Sequence, residues 1–442
     1  MIKIIIIVLL MNIPTIQAQT FNKERIDSLF NLLEIHNQGM GSISVYKEGK
    51  EVYKNSIGYL DVKNGIEANE KTKYRIGSIT KTFTATLIMQ LVDEKKLSLG
   101  TFLVDYFPEV SNANKITIEH MLRHRSGLFN LTEDEDFRKW MLVPNTRKEM
   151  MNRIVKREVD FQPDEKMTYS NTNYVLLSYI AEEIESKTYA EILESRIIKP
   201  LGLKRTGYGK IINTEDNEAL SYVRENSEWS LIEKHTDMSV PIGAGAIVST
   251  PTELNVFYTS LFSGKLVSKN SLEKMMDTSL GMGIGLGGEI FFDKQAYGHN
   301  GGIDGFQSLT LYVPEDKITI SYIGNGIVMS PNNCIVNVLK SYYNKNYKLP
   351  EFKEPIQLKT KALDPYLGVY TSDLFPFQIT ITKEDTVLIA DAKDGPKFPL
   401  VAYAKDGFKS DRAGATLNFY PTENKMILEL NGSKVNFIKK VK

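Results

Sequence analysis

The stretch from Tyr74 to Ala85, Tyr-Arg-Ile-Gly-Ser-Ile-Thr-Lys-Thr-Phe-Thr-Ala, says more about this chain than any other segment. On a helix, residues i and i+3 share a face, so the Lys81 amine can reach the Ser78 oxygen. A serine oxygen is a weak nucleophile unless a neighbouring base takes its proton, and this spacing supplies a base. An amphipathic helix starting near Ser78 is predicted by apolar residues at three- and four-residue spacing, namely Ile79, Phe83, Leu87, Ile88, Leu91 and Val92.

The Ser-x-x-Lys pattern occurs three times, so its context must decide between the three serines. Ser44 lies in an alternating run that predicts a strand, where residues i and i+3 face opposite sides. Ser271 opens an ordinary helical run, in which serine is a cap. At Ser78 a purely structural cap would favour Glu or Gln at position 81. Lys81 instead opposes the helix dipole, which favours a neutral amine and the functional interpretation.

Tyr169-Ser170-Asn171 is a second candidate segment, at a predicted junction between a loop and a helix. A tyrosine hydrogen-bonded to a lysine can relay protons between a nucleophile and a leaving group. The Asn171 amide can orient the lysine and a substrate carbonyl. The Tyr-x-Asn pattern also occurs at Tyr53 and Tyr342, so a buried structural tyrosine is the alternative.

A third candidate is the glycine-rich segment that contains His299-Asn300-Gly301, the chain's single His-x-Gly pattern. Glycines just before a strand let the backbone approach a ligand closely. A backbone N–H at this strand start, paired with the Ser78 N–H, would form an oxyanion hole. The alternative is a glycine-rich turn with an incidental histidine.

Predicted strands lie at both ends of the first 345 residues, with helices inserted between them. This order predicts an α/β (α+β) fold, a mixed sheet covered by helices. The predicted strands are a hairpin over 42–60 and segments 246–248, 309–313 and 318–322. The predicted helices are 21–36, a mostly helical region over about 78–206, and 333–343.

A charged, proline-bearing connector over 349–355 is the best domain boundary, between a domain over 19–348 and another over 356–442. Beyond it, short strands recur about every ten residues, with turns that include 393–396 and 431–432. The pattern predicts a small antiparallel β domain, either a sandwich or a barrel.

The first 18 residues are predicted to be a signal peptide, cleaved after Ala18, because Lys3 precedes a short apolar run and a small residue at the cut site. The protein is therefore expected to be exported, periplasmic or secreted, with no transmembrane helix in the mature chain. Cys334 is the single cysteine, which excludes an intrachain disulfide. Basic and acidic residues number 54 each, so the charge balance gives no support for nucleic acid as a partner.

The three candidate segments, in this order, resemble the serine β-lactamase and penicillin-binding-protein superfamily, and most closely its class C-like branch of β-lactamases, esterases and D-amino-acid peptidases. The resemblance covers about residues 25–345. It extends to Met121–Leu128, Pro200–Leu203 and Gly243–Thr250. It implies a β-lactamase/DD-peptidase-like antiparallel sheet flanked by helices, with an all-helical subdomain.

The resemblance also implies a role for each candidate residue. Ser78 would be the nucleophile, with Lys81 as its base or base partner. Tyr169 would be the general base and acid. The substrate would be bound by Asn171, His299, Asn300 and Gly301, and the oxyanion hole would be formed by the backbone N–H groups of Ser78 and Gly302.

One departure from the β-lactamase pattern concerns the edge strand, where those enzymes usually carry Lys-Thr-Gly or Lys-Ser-Gly. Neither tripeptide occurs in this chain, and His299 is largely neutral at pH 7. This weakens the case for penicillin hydrolysis. It favours small esters, amides or D-amino-acid peptides, such as short peptidoglycan-derived substrates.

The sequence therefore predicts an exported serine hydrolase that forms an acyl-enzyme on Ser78. A penicillin-binding receptor that is acylated without turnover, a catalytically silent scaffold and a true class C-like β-lactamase are the alternatives. Neither a cofactor nor a metal is expected. His120 and His124 have a spacing that can bind metal on a helix, but a hydrogen-bonded structural pair is favoured.

Overall fold

The computed structural model describes residues 22–225, 228–345, 348–352, 355–372, 378–392, 397–410, 415–430 and 433–440. The predicted signal peptide over 1–18 and the predicted turns at 393–396 and 431–432 lie outside these residues. Its helices are α1 (Lys23–Ile35), α2 (Thr80–Asp93), α3 (Ile118–Leu122), α4 (Phe137–Trp140), α5 (Arg147–Val155), α6 (Asn171–Glu185), α7 (Tyr189–Leu193), α8 (Lys199–Leu201), α9 (Pro251–Phe262), α10 (Lys269–Met276) and α11 (Pro331–Tyr342).

The strands up to residue 345 are β1 (Gly39–Lys47), β2 (Lys50–Ile57), β3 (Tyr59–Asp61), β4 (Ile66–Glu67), β5 (Tyr74–Arg75), β6 (Gly207–Tyr208), β7 (Tyr222–Glu225), β8 (Glu228–Leu231), β9 (Ile247–Ser249), β10 (Gly287–Phe291), β11 (Lys294–Ile303), β12 (Phe306–Val313) and β13 (Ile318–Ile327). The later strands are β14 (Gly368–Thr371), β15 (Ile379–Glu384), β16 (Val387–Ala392), β17 (Lys397–Ala404), β18 (Gly407–Ser410), β19 (Ala415–Tyr420), β20 (Lys425–Leu430) and β21 (Ser433–Lys439).

A six-stranded antiparallel sheet in the order β10-β11-β12-β13-β1-β2 forms the centre of the fold. Strand β1 pairs with β13, the strand of this sheet that comes last in the sequence, and Ile43 lies opposite Tyr322. Helices α2 to α10 lie in the sequence between β2 and β10, as the element order predicts. The antiparallel sheet with helices that the resemblance implies is confirmed. The mixed sheet predicted from the element order is wrong, because each pairing in this sheet is antiparallel.

The two faces of this sheet are both buried but are chemically different. One face is apolar and packs on α1 and α11, through residues such as Val45, Leu311 and Ile320. On the other face, Asn255 of α9 accepts a hydrogen bond from Ser321 at 2.7 Å and donates one to Ser44 at 3.0 Å. A buried polar layer of this kind is tolerated because its hydroxyl and amide groups are paired.

Helix α2 is buried on nearly all sides, so the prediction of an amphipathic helix is wrong in this respect. Several of its buried polar positions are threonines that bond to neighbouring backbone. Thr82 donates to the Gly285 carbonyl at 2.8 Å, and Thr84 donates to the Gly243 carbonyl at 2.6 Å. Because these hydroxyls are hydrogen-bonded, threonines can replace a solvent-facing side in a central helix.

The two other Ser-x-x-Lys segments lie in other parts of the fold, away from the start of α2. Ser44 is in strand β1, as predicted, and bonds to Glu51 at 2.8 Å. Ser271 is in the first turn of α10, but the cap is Ser268, whose hydroxyl accepts the Ser271 N–H at 3.2 Å. The expectation that Ser271 itself is the cap is therefore corrected.

The strands after residue 367 form a closed eight-stranded barrel, β14 to β21, which confirms the predicted β domain in its barrel form. Its core includes Tyr370, Phe408, Phe419 and Phe437. Within the described parts of the chain, every helix is too short or too polar to traverse a bilayer.

Candidate active site

Ser78 and Lys81 meet at the entrance to α2. Ser78 lies in a short 3-10 turn, Gly77–Ile79, that leads directly into the helix, and Lys81 is the helix's second residue. The Lys81 Nζ atom lies 3.0 Å from Ser78 Oγ, 2.8 Å from Asn171 Oδ1 and 2.7 Å from the Ala244 carbonyl oxygen. The i to i+3 spacing therefore brings the amine to the hydroxyl, as the sequence predicts.

The Lys81 side chain is completely buried. Burial lowers its pKa well below the ordinary value of 10.5, because a charged amine loses hydration in an apolar setting. Within the described residues, the hydrogen-bond partners of the amine are a hydroxyl, an amide oxygen and a carbonyl oxygen, and none of them is a carboxylate. A neutral amine is the form that can accept a proton.

Tyr169 is brought to the same place by the segment that precedes α6. Its ring centroid lies 4.9 Å from Lys81 Nζ. Burial raises the pKa of Tyr169, and a hydrogen bond with Ser78 opposes that rise. At neutral pH Tyr169 is therefore a phenol with its proton in place, beside the serine.

Asn171 is the first residue of α6 and holds Lys81 through its side-chain oxygen. Its own backbone and side-chain nitrogens both donate to Asn130 Oδ1, at 3.0 and 3.2 Å. The sequence reasoning missed Asn130, and it missed the Ala244 carbonyl as a lysine partner. The residue-type pattern carries no signal for a backbone acceptor, although Ala244 lies in the family-like stretch Gly243–Thr250.

Strand β11 approaches the serine turn at its glycines. A Cβ atom added to Gly301 would lie 2.0 Å from the Ile76 carbonyl oxygen and 3.0 Å from Ser78 N. A Cβ atom added to Gly77 would lie 2.7 Å from Gly302 N. The amide nitrogens of Ser78 and Gly302 are therefore neighbours, and only glycine allows this approach.

His299 and Asn300, which the sequence groups together as substrate-binding residues, have side chains on opposite faces of strand β11. His299 is 5% exposed, its Nδ1 lies 2.5 Å from the Asn300 carbonyl oxygen, and its ring is tilted against Tyr169 at 6.3 Å. Burial, and then Lys81, lower the His299 pKa to about 4. Alternation along the strand puts the exposed Asn300 side chain on the opposite face from His299.

A buried ion pair anchors the turn after β11 and was not identified from the sequence. Arg75 Nη1 lies 2.8 Å from Asp304 Oδ2, with 4% and 1% of the two side chains exposed. Asp304 also accepts hydrogen bonds from the N–H and hydroxyl of Thr236, at 2.9 and 2.8 Å. These contacts tie the β11–β12 turn to the strand that leads into Ser78.

A cavity of about 480 Å³ opens over Ser78, Asn171 and Gly302. Its walls are mainly apolar and include Phe137, Trp140, Met141, Val175 and Val240. Arg138, which is exposed, also lines it. The arrangement can hold a carbonyl group at Ser78 with an apolar substituent beside it.

Gly301→Ala is expected to lower kcat/KM by about 100-fold, because the added methyl group would push β11 away from Ser78 by a fraction of an ångström or more. Steady-state kinetics with an activated ester checks this. Gly287→Ala on β10 is the matched control, since its Cβ would meet the Gly298 carbonyl oxygen at an ordinary 3.6 Å. Equal activities of the two variants would contradict the close approach.

Within the described ranges, no group of three or more His, Cys, Asp or Glu side chains is placed to hold an ion. The His120 ring closes a capping box by accepting the Thr117 N–H. The His124 ring packs on Tyr169 instead.

Comparisons with known proteins identify the family of this chain and several relatives. A family model described as Beta-lactamase matches residues 32–333. A teichoic acid D-alanine hydrolase of Staphylococcus aureus (strain MRSA252) is 26% identical over 303 residues, 66% of this chain and 70% of that protein. The D-amino acid amidase from Ochrobactrum anthropi SV3 has a TM-score of 0.64 at 26% identity, over 73% of this chain and 99% of that chain.

A further solved structure covers more of the chain. The octameric penicillin-binding protein homologue from Pyrococcus abyssi has a TM-score of 0.67 at 24% identity, over 94% of this chain and 100% of that chain, and it shows a shared fold. The family match over 32–333 spans more than half of the 442 residues. The chain therefore belongs to the Beta-lactamase family of serine hydrolases.

Proposed function

We propose that the protein is an exported serine hydrolase that forms an acyl-enzyme on Ser78 and cleaves a small ester, amide or D-amino-acid peptide. The observation that carries this proposal is the buried Lys81 amine 3.0 Å from the Ser78 hydroxyl. A desolvated amine with a lowered pKa is a competent base at neutral pH.

The partners of Lys81 fit a neutral amine. Such an amine has two N–H donors and one lone pair. The Asn171 side-chain oxygen and the Ala244 carbonyl can only accept, so they take the two N–H groups. The lone pair is left for the hydroxyl proton of Ser78.

The proposed reaction follows from these donors and acceptors. Lys81 takes the hydroxyl proton as Ser78 Oγ attacks the substrate carbonyl, and the Tyr169 phenol gives a proton to the leaving group. Tyr169 is then returned to its neutral form by the proton that Lys81 holds. Water repeats the sequence in the second half-reaction, attacking the acyl-enzyme and releasing Ser78.

The negative charge that forms on the carbonyl oxygen needs donors. The Ser78 and Gly302 amides are neighbours at the serine turn, and we propose that they donate to this oxygen. Removing one such donor typically costs about 3 kcal/mol of transition-state stabilisation.

The substrate class is inferred from charge and shape. His299 is buried and its pKa is lowered to about 4, so it offers no cation for a substrate carboxylate at neutral pH. The cavity walls are mainly apolar. Two relatives are named as a teichoic acid D-alanine hydrolase and a D-amino acid amidase. We therefore favour neutral esters and D-aminoacyl amides over penicillins.

Purified protein and a panel of nitrocefin, p-nitrophenyl acetate and the D- and L-alanyl p-nitroanilides test this function. We expect Ser78-dependent hydrolysis of the ester and of the D-anilide, and slower turnover of nitrocefin. Faster nitrocefin turnover would contradict the substrate class and would point to Arg138 as the carboxylate partner. Labelling by a penicillin probe without turnover of any substrate would support a receptor instead.

Export is tested by mass spectrometry of the protein that an expression host secretes. The molecular mass is expected to match a chain that begins at Gln19.

A further inference from the structure

His124 packs against the segment that carries Tyr169. Its carbonyl oxygen accepts the Thr168 N–H at 2.9 Å, and its Nδ1 accepts the Ser170 N–H at 3.2 Å. Between these two bonds its ring stacks on the Tyr169 ring, with centroids 4.3 Å apart and planes at 27°. One histidine thus contacts three consecutive residues of this segment.

The position of His124 is itself tightly specified. The residue is 1% exposed, and its ring also contacts Tyr174 at 5.2 Å. Its backbone has a φ of 56°, in the left-handed region that few residues other than glycine adopt. Such a conformation persists where the surroundings impose it, and it occurs often at functional sites.

The protonation state of His124 follows from its partners. A backbone N–H can only donate, so Nδ1 must accept, and the neutral ring carries its proton on Nε2. Burial is the main cause that holds the His124 pKa well below its ordinary value, and Lys81 and His299 add to it. The ring therefore stays neutral, and its bond to Ser170 is kept.

We propose that His124 is a positioning residue that holds the Tyr169 hydroxyl against Ser78. This inference rests on the proposed function, because it acts through the proton transfer assigned to Tyr169. The Tyr169 ring is contacted by His124 at 4.3 Å and lies 4.9 Å from Lys81 Nζ. Without the histidine ring one of these contacts is lost, and a displacement of about 1 Å at a reacting group costs about 100-fold in rate.

A double-mutant cycle tests this role. His124→Ala removes the ring and the acceptor, whereas His124→Asn removes the ring, keeps an acceptor and tolerates a positive φ. In the presence of Tyr169 we expect kcat to fall by about 30- to 100-fold, with KM changed by less than about 2-fold. In the Tyr169→Phe background the same changes are expected to lower kcat by less than about 3-fold, because the group that His124 positions is gone.

His120→Ala is the matched control, since this half-buried histidine lies four residues earlier and bonds to Thr117. It is expected to lower the melting temperature and leave kcat unchanged. Equal losses of kcat for His124→Asn in the wild-type and Tyr169→Phe backgrounds would overturn the proposal. This comparison remains decisive if His124→Ala does not fold. Activity in wild type that survives Ser78→Ala would overturn the proposed function as well, so the two failures are distinguishable.

Discussion

Ser78→Ala is expected to lower kcat by about 10⁴- to 10⁶-fold, as the loss of a nucleophile does in other serine hydrolases. The residual rate would come from substrate binding and the oxyanion donors alone. The variant is expected to fold normally, because Ser78 is half-buried and the change leaves Lys81 bonded to Asn171 and Ala244. Steady-state kinetics and labelling with a fluorophosphonate probe check the loss of activity, and a thermal melt of the variant checks its folding.

The chain supplies its own control for this experiment. Ser271-x-x-Lys274 has the same spacing, but Ser271 bonds to Asp93 in a different part of the fold. Ser271→Ala is expected to lose stability without losing the labelling of the folded protein. If Ser271→Ala and Ser78→Ala lost labelling equally, the assignment of Ser78 would be wrong.

Lys81→Met is expected to lower kcat/KM by about 10²- to 10⁴-fold, the usual worth of a general base. In wild type, kcat/KM is expected to reach its plateau well below pH 10.5, because burial lowers the Lys81 pKa. Lys274→Met is the matched control, and this exposed lysine is expected to leave the profile unchanged. A profile that keeps rising to pH 10 would contradict a neutral Lys81.

The same lowered pKa predicts how stability depends on pH. Between the folded and unfolded pKa values of Lys81, the unfolded chain binds one more proton at this site than the folded chain. The free energy of unfolding of wild type should therefore rise with pH relative to Lys81→Met, by at most about 1.4 kcal/mol per pH unit. Denaturant titrations of both proteins at pH 7, 8 and 9 measure this difference. A difference that is constant over this range would show that the pKa is not lowered.

The central part of the site was predictable from the sequence because it depends on residues close together in the chain and on residue type. The three-residue spacing of Ser78 and Lys81 brings them together on any helix start. Lys81 lies in the first turn of α2, where a cation would oppose the helix dipole. The structure explains this placement, since the amine is buried among three oxygen atoms. Glycines at 301 and 302 predicted a close backbone approach, and β11 makes that approach to the serine turn.

Other features depend on tertiary contacts that no local pattern encodes. Alternating serines and threonines on a strand ordinarily indicate a solvent-facing side, yet Ser44 and Ser321 are buried because Asn255 of α9 pairs with both. His124 was interpreted as half of a structural pair with His120. Its contact with Tyr169 joins segments 45 residues apart, so the spacing of the two histidines carried no information about it.

The most direct test of a covalent intermediate on Ser78 is peptide mass mapping of wild type quenched in acid during turnover of an ester substrate. Trypsin cuts after Arg75 and Lys81, which leaves the hexapeptide Ile76–Lys81 with Ser78 inside it. The proposed mechanism predicts that this peptide gains the mass of the acyl group, that fragmentation places the gain on Ser78, and that Ser78→Ala shows none. Sustained hydrolysis with no acyl group on this peptide, or with the acyl group on another residue, would contradict it.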